Sequence, residues 1–409
     1  MRIVFYNPHT NIWFKKPLYF FLTKRKSVNK YEYLLDYVIE NKIEFSFLVD
    51  GRDFSFGNKY FNSSILAKIE IYIWSLLNNL NPFKINILSN INALKSDDVL
   101  FIFLYGILMS KEIKKGDRNL VSDLISDLKT TKAFKVVHLT HYMYDAKNAG
   151  INTKEANINM FVAENNLQKN SEFFKKYFSW YSSDVCVLPF VAQNRFKNYT
   201  EFSKRTNIAV ATGTLPFPIK NIEFIDFFKT SDIHPMRRQI YENRNSLQSS
   251  IKSYIFEMGE NKKSKHFKFS IINKANNFLF SHFHNKQTSY FAFDIVELYN
   301  THTMFVVPEE INGLPGIGFI EGLMCGCVLI GKSEGYYEDL GFIDGENYIS
   351  YDGTLNDLVN KINFYQENSK LLEGIAFKSY EFVKSNFNEN MVASIFIDKM
   401  KALVSPKIY

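Results

Sequence analysis

Short apolar runs, each trailed by a longer polar segment, recur through the first half of the chain. They are "RIVFY" at 2–6, "IEFSFLVD" at 43–50, "KINILS" at 84–89, "DDVLFIFLYG" at 97–106, "FKVVHLTHY" at 134–142, "INMFVAENN" at 158–166 and "DVCVLPFV" at 184–191. A run of continuous apolar residues suits a strand buried on both faces, and the polar segments suit crossover helices, so the pattern predicts βα units and a mostly parallel sheet. The polar, basic stretch "AQNRFKNYTEFSKRT" at 192–206 breaks this series, which restarts with "NIAVATGTLPFP" at 207–218 and continues through "YFAFDIVELYN", "TMFVVPEE", "CVLIGKSEG" and "NYISYDG". The restart predicts a second Rossmann-like domain. Between these runs, "FFKTSDIHPMRRQIYENRNSLQSSIKSYIFE" at 227–257 reads as a loop that becomes a helix, with Pro235 in the first turn, where proline is tolerated. The segment 376–404 reads as two amphipathic helices.

A length of 409 residues agrees with two domains, and 46% apolar residues supply real cores. The net charge of +7 suits an anionic ligand or an anionic membrane surface. The charges are dispersed, so no nucleic-acid partner is expected. Three cysteines, Cys186, Cys325 and Cys327, cannot build a disulfide framework and point to a reducing compartment. The opening "MRIVFYNPHT" reads as a strand and not as a signal peptide, and the longest apolar run, "VLFIFLYGILM" at 99–109, is about half a membrane span. A cytoplasmic protein, peripheral to a membrane, is the expectation.

Chemistry concentrates in "PEEINGLPGIGFIEGLMCGCVLIG" at 308–331, a strand end, a glycine-rich loop, a helix start and the next strand. Ligands of parallel α/β sheets bind outside the carboxyl ends of the strands. Gly316 and Gly318 would let backbone N–H groups and a helix start approach a phosphate. Glu321, in the first turns of the helix, would accept two ribose hydroxyls. The same glycines also suit tight strand–helix packing with no ligand. The paired acids Glu309 and Glu310 at the strand end favour a nucleotide-sugar site.

From about 290 to 385 the order of parts resembles the donor half of GT-B glycosyltransferases. "FDIVELYNTHTMFVVPEE" resembles the helix and strand before their donor loop, "GFIEGLMCGCVLIG" the segment holding their ribose-binding Glu, and "GYYEDLGFIDGENYISYDG" with "LNDLVNKINFYQ" the sequel. The chain departs from that pattern at Gly313, where the first Glu of their pair, eight residues before the second, would fall. More narrowly, "ATGTLPFP", "SDIHPMR" and "MFVVPEEINGLPGIGFIEGLMCGC" resemble the retaining β-Kdo transferases of bacterial O-antigen and capsule assembly. The resemblance covers most of 200–400.

The resemblance implies an α/β, GT-B-like fold of two Rossmann-like domains facing across a cleft, with C-terminal helices returning toward the N-terminal domain. The expected parts are an acceptor-side domain at 1–195, a donor-binding domain at 200–385 and a returning helix at 386–409. It implies a CMP-β-Kdo donor, a lipid-linked O-antigen or capsule oligosaccharide acceptor, and peripheral contact with the cytoplasmic face of the inner membrane. Asp232 becomes the nucleophile of a double displacement. His234 of the His-Pro pair resembles the phosphate-contacting His of CMP-sialic-acid enzymes. A CMP-sugar has one phosphate and needs no metal bridging a diphosphate, and the chain has no Asp-x-Asp, so neither cofactor nor metal is expected. Thr212, Gly213, Arg237, Glu310, Gly316, Gly318, Glu321 and Lys332 form the candidate donor-binding set.

Alternatives remain for several of these residues. Ser231-Asp232 before a helix also fits an N-cap, and Arg205, Arg237 and Arg238 also fit solvated faces. Glu164, at the end of the strand in "FVAENN", is the candidate acceptor base. His138 and His141 of "HLTHYMYD" either assist it or are hydrogen-bonded loop residues, and they lack the further ligands zinc would need. "SHFH" and "CGC" read as structural. The aromatic and basic stretch at 11–31 fits an acceptor groove, an anionic lipid contact or a solvated helix face. A sialyl- or hexosyltransferase of the same fold, or a non-catalytic nucleotide-sugar-binding module of an assembly complex, are the competing functions.

Overall fold

The computed structural model describes residues 1–8, 13–14, 17, 30–50, 64–104, 106–115, 117–139, 141–257, 293–316, 318–333 and 335–404. The chain divides into two compact units, one of Met1–Leu188 with Glu389–Tyr409 and one of Pro189–Asn388.

Unit 1 is built on a seven-stranded parallel sheet. Its strands are β1 (Arg2–Tyr6), β2 (Phe45–Leu48), β3 (Asn86–Leu88), β4 (Asp98–Phe103), β5 (Phe134–His138), β6 (Met160–Ala163) and β7 (Cys186–Val187), in the order β3-β2-β1-β4-β5-β6-β7. Each strand falls inside one of the apolar runs, because both faces of a parallel sheet are covered and most positions must be apolar. Helices α1 (Glu32–Glu40), α2 (Ser64–Leu77), α3 (Leu120–Thr130), α4 (Ala146–Glu155), α5 (Leu167–Asn170) and α6 (Glu172–Tyr177) connect the strands. A buried ion pair, Arg2 Nε to Asp98 Oδ1 at 3.0 Å, joins the starts of β1 and β4, whose register pairs the same two residues. Trp13 and Phe14 lie in the core, Trp13 stacked on Phe103 at 4.1 Å and Phe14 on Trp74 at 4.5 Å. These two residues of the 11–31 stretch are therefore packing residues. Most of that stretch lies outside the described residues, and "SHFH" at 281–284 lies wholly outside them.

Unit 2 has a five-stranded parallel sheet of β8 (Thr206–Leu215), β9 (Ile251–Glu257), β10 (His302–Val306), β11 (Val328–Lys332) and β12 (Ile349–Tyr351), in the order β9-β8-β10-β11-β12. Helices α7 (Ile222–Phe228), α8 (Pro235–Glu242), α9 (Ile295–Thr301), α10 (Phe319–Met324), α11 (Leu355–Glu367) and α12 (Ser369–Asn386) complete it. The final helix, α13 (Glu389–Val404), belongs to unit 1, where Phe396 meets Phe101 of β4 at 5.4 Å.

One element differs from the sequence reading, and a second decides between two readings. "IKSYIFE" is not a continuation of the helix but the edge strand β9, paired with β8 over its whole length from Ala209↔Ile251 to Leu215↔Glu257. Its Ile251 and Ile255 sit four apart, which mimics a helical period, and pairing with β8 overrides that local signal. "IVELYNT", which the apolar-run pattern groups with the strands and the GT-B resemblance reads as a helix, is the helix α9, capped by Asp294, whose side chain accepts the N–H of Val296 and Glu297.

Candidate functional site

In unit 2, β8 is flanked by β9 on one side and β10 on the other. The chain order therefore reverses between β8 and β10, and the carboxyl ends of these two strands form the topological switch point. Ala211 pairs with Val306, the last residue of β10, so Thr212 to Leu215 run past it beside the loop that starts at Val307.

Arg237, in the first turn of α8, lies across this junction. Its Nη1 donates to Thr214 O at 2.6 Å and its Nη2 to Pro308 O at 3.3 Å, so one buried guanidinium ties the end of β8 to the end of β10. The solvated-face reading of Arg237 does not hold. Gly213 has φ +139°, and a Cβ there would lie 2.7 Å from Arg237 Cζ, so this strand end must be glycine for the guanidinium to lie on it.

His234 occupies the N-cap position of α8 without a side-chain cap bond. Its Nδ1 lies 3.2 Å from Pro308 O and 3.1 Å from Glu309 O. Both partners are carbonyl oxygens, so Nδ1 carries the proton. Pro235 at the first helical position needs no N–H partner.

Asp232 is not the cap. Its backbone N–H donates to Thr230 Oγ1 at 3.1 Å, and its carboxylate Oδ1 accepts from Arg238 Nη2 at 3.2 Å. Arg238 also donates to Glu257 Oε1 at 3.0 Å through Nη1. Those hydrogen bonds, Glu257 first and then Asp232, raise the Arg238 pKa further. The main chain around Asp232 is fixed by Ile219 N–H to Ser231 O and Ile311 N–H to Ile233 O, both 2.9 Å. Asp232 thus sits beside the 308–311 loop.

The two acids at the strand end have different surroundings. Glu309 is buried, and its Oε1 accepts from Lys332 N–H at 2.8 Å and Tyr337 OH at 2.7 Å, while Oε2 accepts from Tyr351 OH at 3.3 Å. Burial pushes its pKa up, against the pull of these donors. Glu309 is the pin that joins the ends of β10, β11 and β12. Glu310 is only half-buried and opens a turn in which its N–H donates to Leu314 O and its carbonyl accepts from Gly313 N–H. Gly313 has φ +101°, so the position where the first Glu of the GT-B pair would fall is a left-handed turn position.

What approaches the loop so closely is the protein itself. A Cβ on Gly316 would lie 2.6 Å from Val307 Cγ1 and from Val307 O, and one on Gly318 would lie 3.2 Å from Val307 Cγ2 and 3.3 Å from Tyr299 OH. Tight packing on the strand end accounts for both glycines. Tyr299 OH also meets Thr212 Oγ1 at 3.1 Å, linking β8 to the same layer. Glu321 lies half-buried in the first turn of α10. Lys332 ends β11, with its Nζ 5.3 Å from the centroid of the Tyr336 ring.

Thr212, Gly213, Asp232, His234, Arg237, Glu310 and Lys332 therefore gather at the carboxyl end of one sheet. Arg205 does not join them. It precedes the first residue of β8, at the amino end, buried, with its donors on the carbonyls of Thr200, Tyr299 and Cys325 and on Asn198 Oδ1.

Glu164 belongs to unit 1, just after β6. It is bonded by the Tyr31 hydroxyl through Oε1, and His138 Nε2, at the end of β5, is 3.8 Å from the same oxygen. Burial drives the His138 pKa down to about 4, so its ring is neutral at neutral pH. Burial, with Lys30 adding to it, also lowers His141. The tyrosine was not singled out by sequence reasoning, because it lies 133 residues from Glu164. A carboxylate beside a hydroxyl and a neutral imidazole is equipped to accept a proton from an alcohol. Among the described residues no group of three His, Cys, Asp or Glu is arranged to hold a metal ion.

No protein-family model matches the chain, and no curated protein matches it by sequence. Solved structures do match. A glycosyltransferase from Rickettsia africae aligns with a TM-score of 0.51 at 12% identity, over 99% of both chains. Anabaena Alr3699/HepE in complex with UDP-glucose aligns with a TM-score of 0.54 at 12% identity, over 98% of this chain and all of that one. The chain has the GT-B fold. Within that fold the β8/β10 junction is the switch point of the second Rossmann-like unit, and the Glu164 cluster lies on the first.

Proposed function

We propose that the protein is a GT-B glycosyltransferase whose nucleotide-sugar donor seats at the β8/β10 junction of unit 2. The observation that supports this best is the convergence of Asp232, His234 and Arg237, three residues of one short segment, on the strand ends of a topological switch point. The donor we propose is CMP-β-Kdo, and the acceptor a hydroxyl of a lipid-linked O-antigen or capsule oligosaccharide. Glu321 accepts the ribose hydroxyls. His234 and Arg237 favour the anionic phosphate and carboxylate of the donor. The Asp232 carboxylate, held by Arg238, attacks the anomeric carbon as the bond to the CMP phosphate breaks and CMP leaves. An acceptor hydroxyl, giving its proton to a general base, then displaces Asp232, so configuration is retained. No metal enters these steps.

A second reading has its own support: HepE, of the same fold, is seen with UDP-glucose, which favours a UDP-hexose donor. A thermal-shift panel of CMP, UDP, GDP and ADP separates the two, since a ligand bound only to the folded state raises Tm. The Kdo reading expects the largest rise with CMP, followed by release of CMP from CMP-Kdo only when acceptor is present. Preference for UDP overturns the Kdo donor and leaves the hexosyl reading. Binding with no turnover of any donor favours a non-catalytic module.

A further inference from the structure

Helix α2 of unit 1 is apolar on both sides. Its inner side, with Ala67, Ile71 and Trp74, is buried, and Trp74 packs edge-on against Phe47 of β2. Its outer side carries Ile65, Ile69, Tyr72, Leu76 and Leu77, which are 40–70% exposed. Spacings of four, three and four residues put Ile65, Ile69, Tyr72 and Leu76 on one stripe. Phe83, in the turn that follows, is 91% exposed, and its ring lies 6.4 Å from that of Tyr72, which prolongs the stripe. A surface helix ordinarily turns a polar face to water. A contiguous apolar strip marks a surface that something covers.

The charges indicate what covers it. From 64 to 88 the charged residues are Lys68, Glu70 and Lys84. Glu70 is buried, so the charges left at the surface are both lysines. Lys68 Nζ lies 3.4 Å from Ser89 Oγ at the edge of the stripe, and Lys84 adjoins Phe83. If two copies paired through this face, a two-fold axis would bring the lysines of one copy toward those of the other. An anionic bilayer meets both features at once. The acyl boundary takes the isoleucines, leucines and Phe83, Tyr72 sits at headgroup level, and the lysine ammonium groups reach the phosphates.

We propose that the α2 stripe with Phe83 is a docking face for an anionic lipid surface, on which the chain rests without spanning it. No described helix is long and apolar enough to cross a membrane. This binding needs neither donor nor turnover, so it stands or falls apart from the glycosyltransferase reading.

The test is co-sedimentation of the full chain with phosphatidylcholine vesicles, with and without phosphatidylglycerol. The wild-type chain sediments with the phosphatidylglycerol vesicles. Leu76→Ser/Phe83→Ser, at exposed positions, keeps the wild-type Tm and lowers the bound fraction about tenfold. Lys68→Gln/Lys84→Gln loses the preference for phosphatidylglycerol. Undiminished sedimentation of Leu76→Ser/Phe83→Ser overturns the proposal. So does a light-scattering mass of two chains that this variant returns to one, which would assign the face to a second copy.

Discussion

Replacing Glu309 tests the strand-end pin directly. Glu309→Ala removes the acceptor of two close buried donors, Lys332 N–H and Tyr337 OH, and of the longer bond from Tyr351 OH. Each costs roughly 1–3 kcal/mol, and relief of a desolvated carboxylate offsets part of the sum, for a net loss of about 3 kcal/mol. For a unit of roughly 200 residues that lowers Tm by about 6–12 °C. Glu309→Gln keeps the shape. Its Oε1 still accepts from both donors, and its amide N–H can donate to the Tyr351 oxygen, so stability stays within about 1 kcal/mol of wild type.

The two variants also differ in pH dependence. Burial raises the Glu309 pKa above 4.5, so the folded chain holds this proton more tightly than the unfolded chain. The stability from that preference is complete below pH 4.5, is lost as pH rises through the folded pKa, and is flat above it. Glutamine carries no such loss. The Tm difference between Glu309→Gln and wild type should therefore move in favour of glutamine as pH rises through this window. Scanning calorimetry across pH reads both effects. An unchanged Tm for Glu309→Ala, or equal damage from the two variants, would refute the reasoning.

Asp232→Asn should leave the protein folded and CMP-binding while transfer falls by orders of magnitude, measured as product formed per enzyme; near-normal transfer removes Asp232 as nucleophile. Glu321→Ala should weaken donor affinity by roughly 1.5–3 kcal/mol in calorimetric titration, and unchanged affinity would make Glu321 a packing residue. Gly316→Ala places a methyl 2.6 Å from Val307 and should cost about 1–3 kcal/mol, whereas Gly374→Ala, in α12 with nothing within 4 Å, should gain up to about 1 kcal/mol; melting curves of the pair check this. The His138 pKa falls from 6.5 to about 4, so the unfolded chain takes up a proton there that the folded chain refuses. Stability should drop by about 3 kcal/mol as pH falls through that range, and His138→Gln should flatten this part of the Tm–pH curve.

The parallel strands were legible because burial on both faces leaves mostly apolar residues, as in β1 and β4, whose charges Arg2 and Asp98 stand at the strand starts and pair with each other. The helix start at Pro235 was legible because proline has one comfortable place in a helix. The edge strand β9 was not. It has a partner on one side, and its Ile251 and Ile255 carry no strict alternation. Within the site, sequence drew attention to the acids 309 and 310 and to the loop glycines. It could not tell the buried pin Glu309 from the half-buried Glu310, since Tyr337 and Tyr351, which distinguish Glu309, lie 28 and 42 residues away. Nor could it tell a phosphate from Val307 as the group that excludes side chains at Gly316.

Unit 1 is discontinuous in sequence, and that affects how the chain is made. On a ribosome all seven strands β1–β7 emerge before any of unit 2, yet α13, whose Phe396 covers Phe101 of β4, follows the whole of unit 2. The later-made unit can therefore complete its contacts first, while the earlier one waits with part of its apolar surface unsheltered and in the keeping of chaperones. A stop codon placed after Asn388 would accordingly leave unit 2 whole and injure the half of the protein translated first.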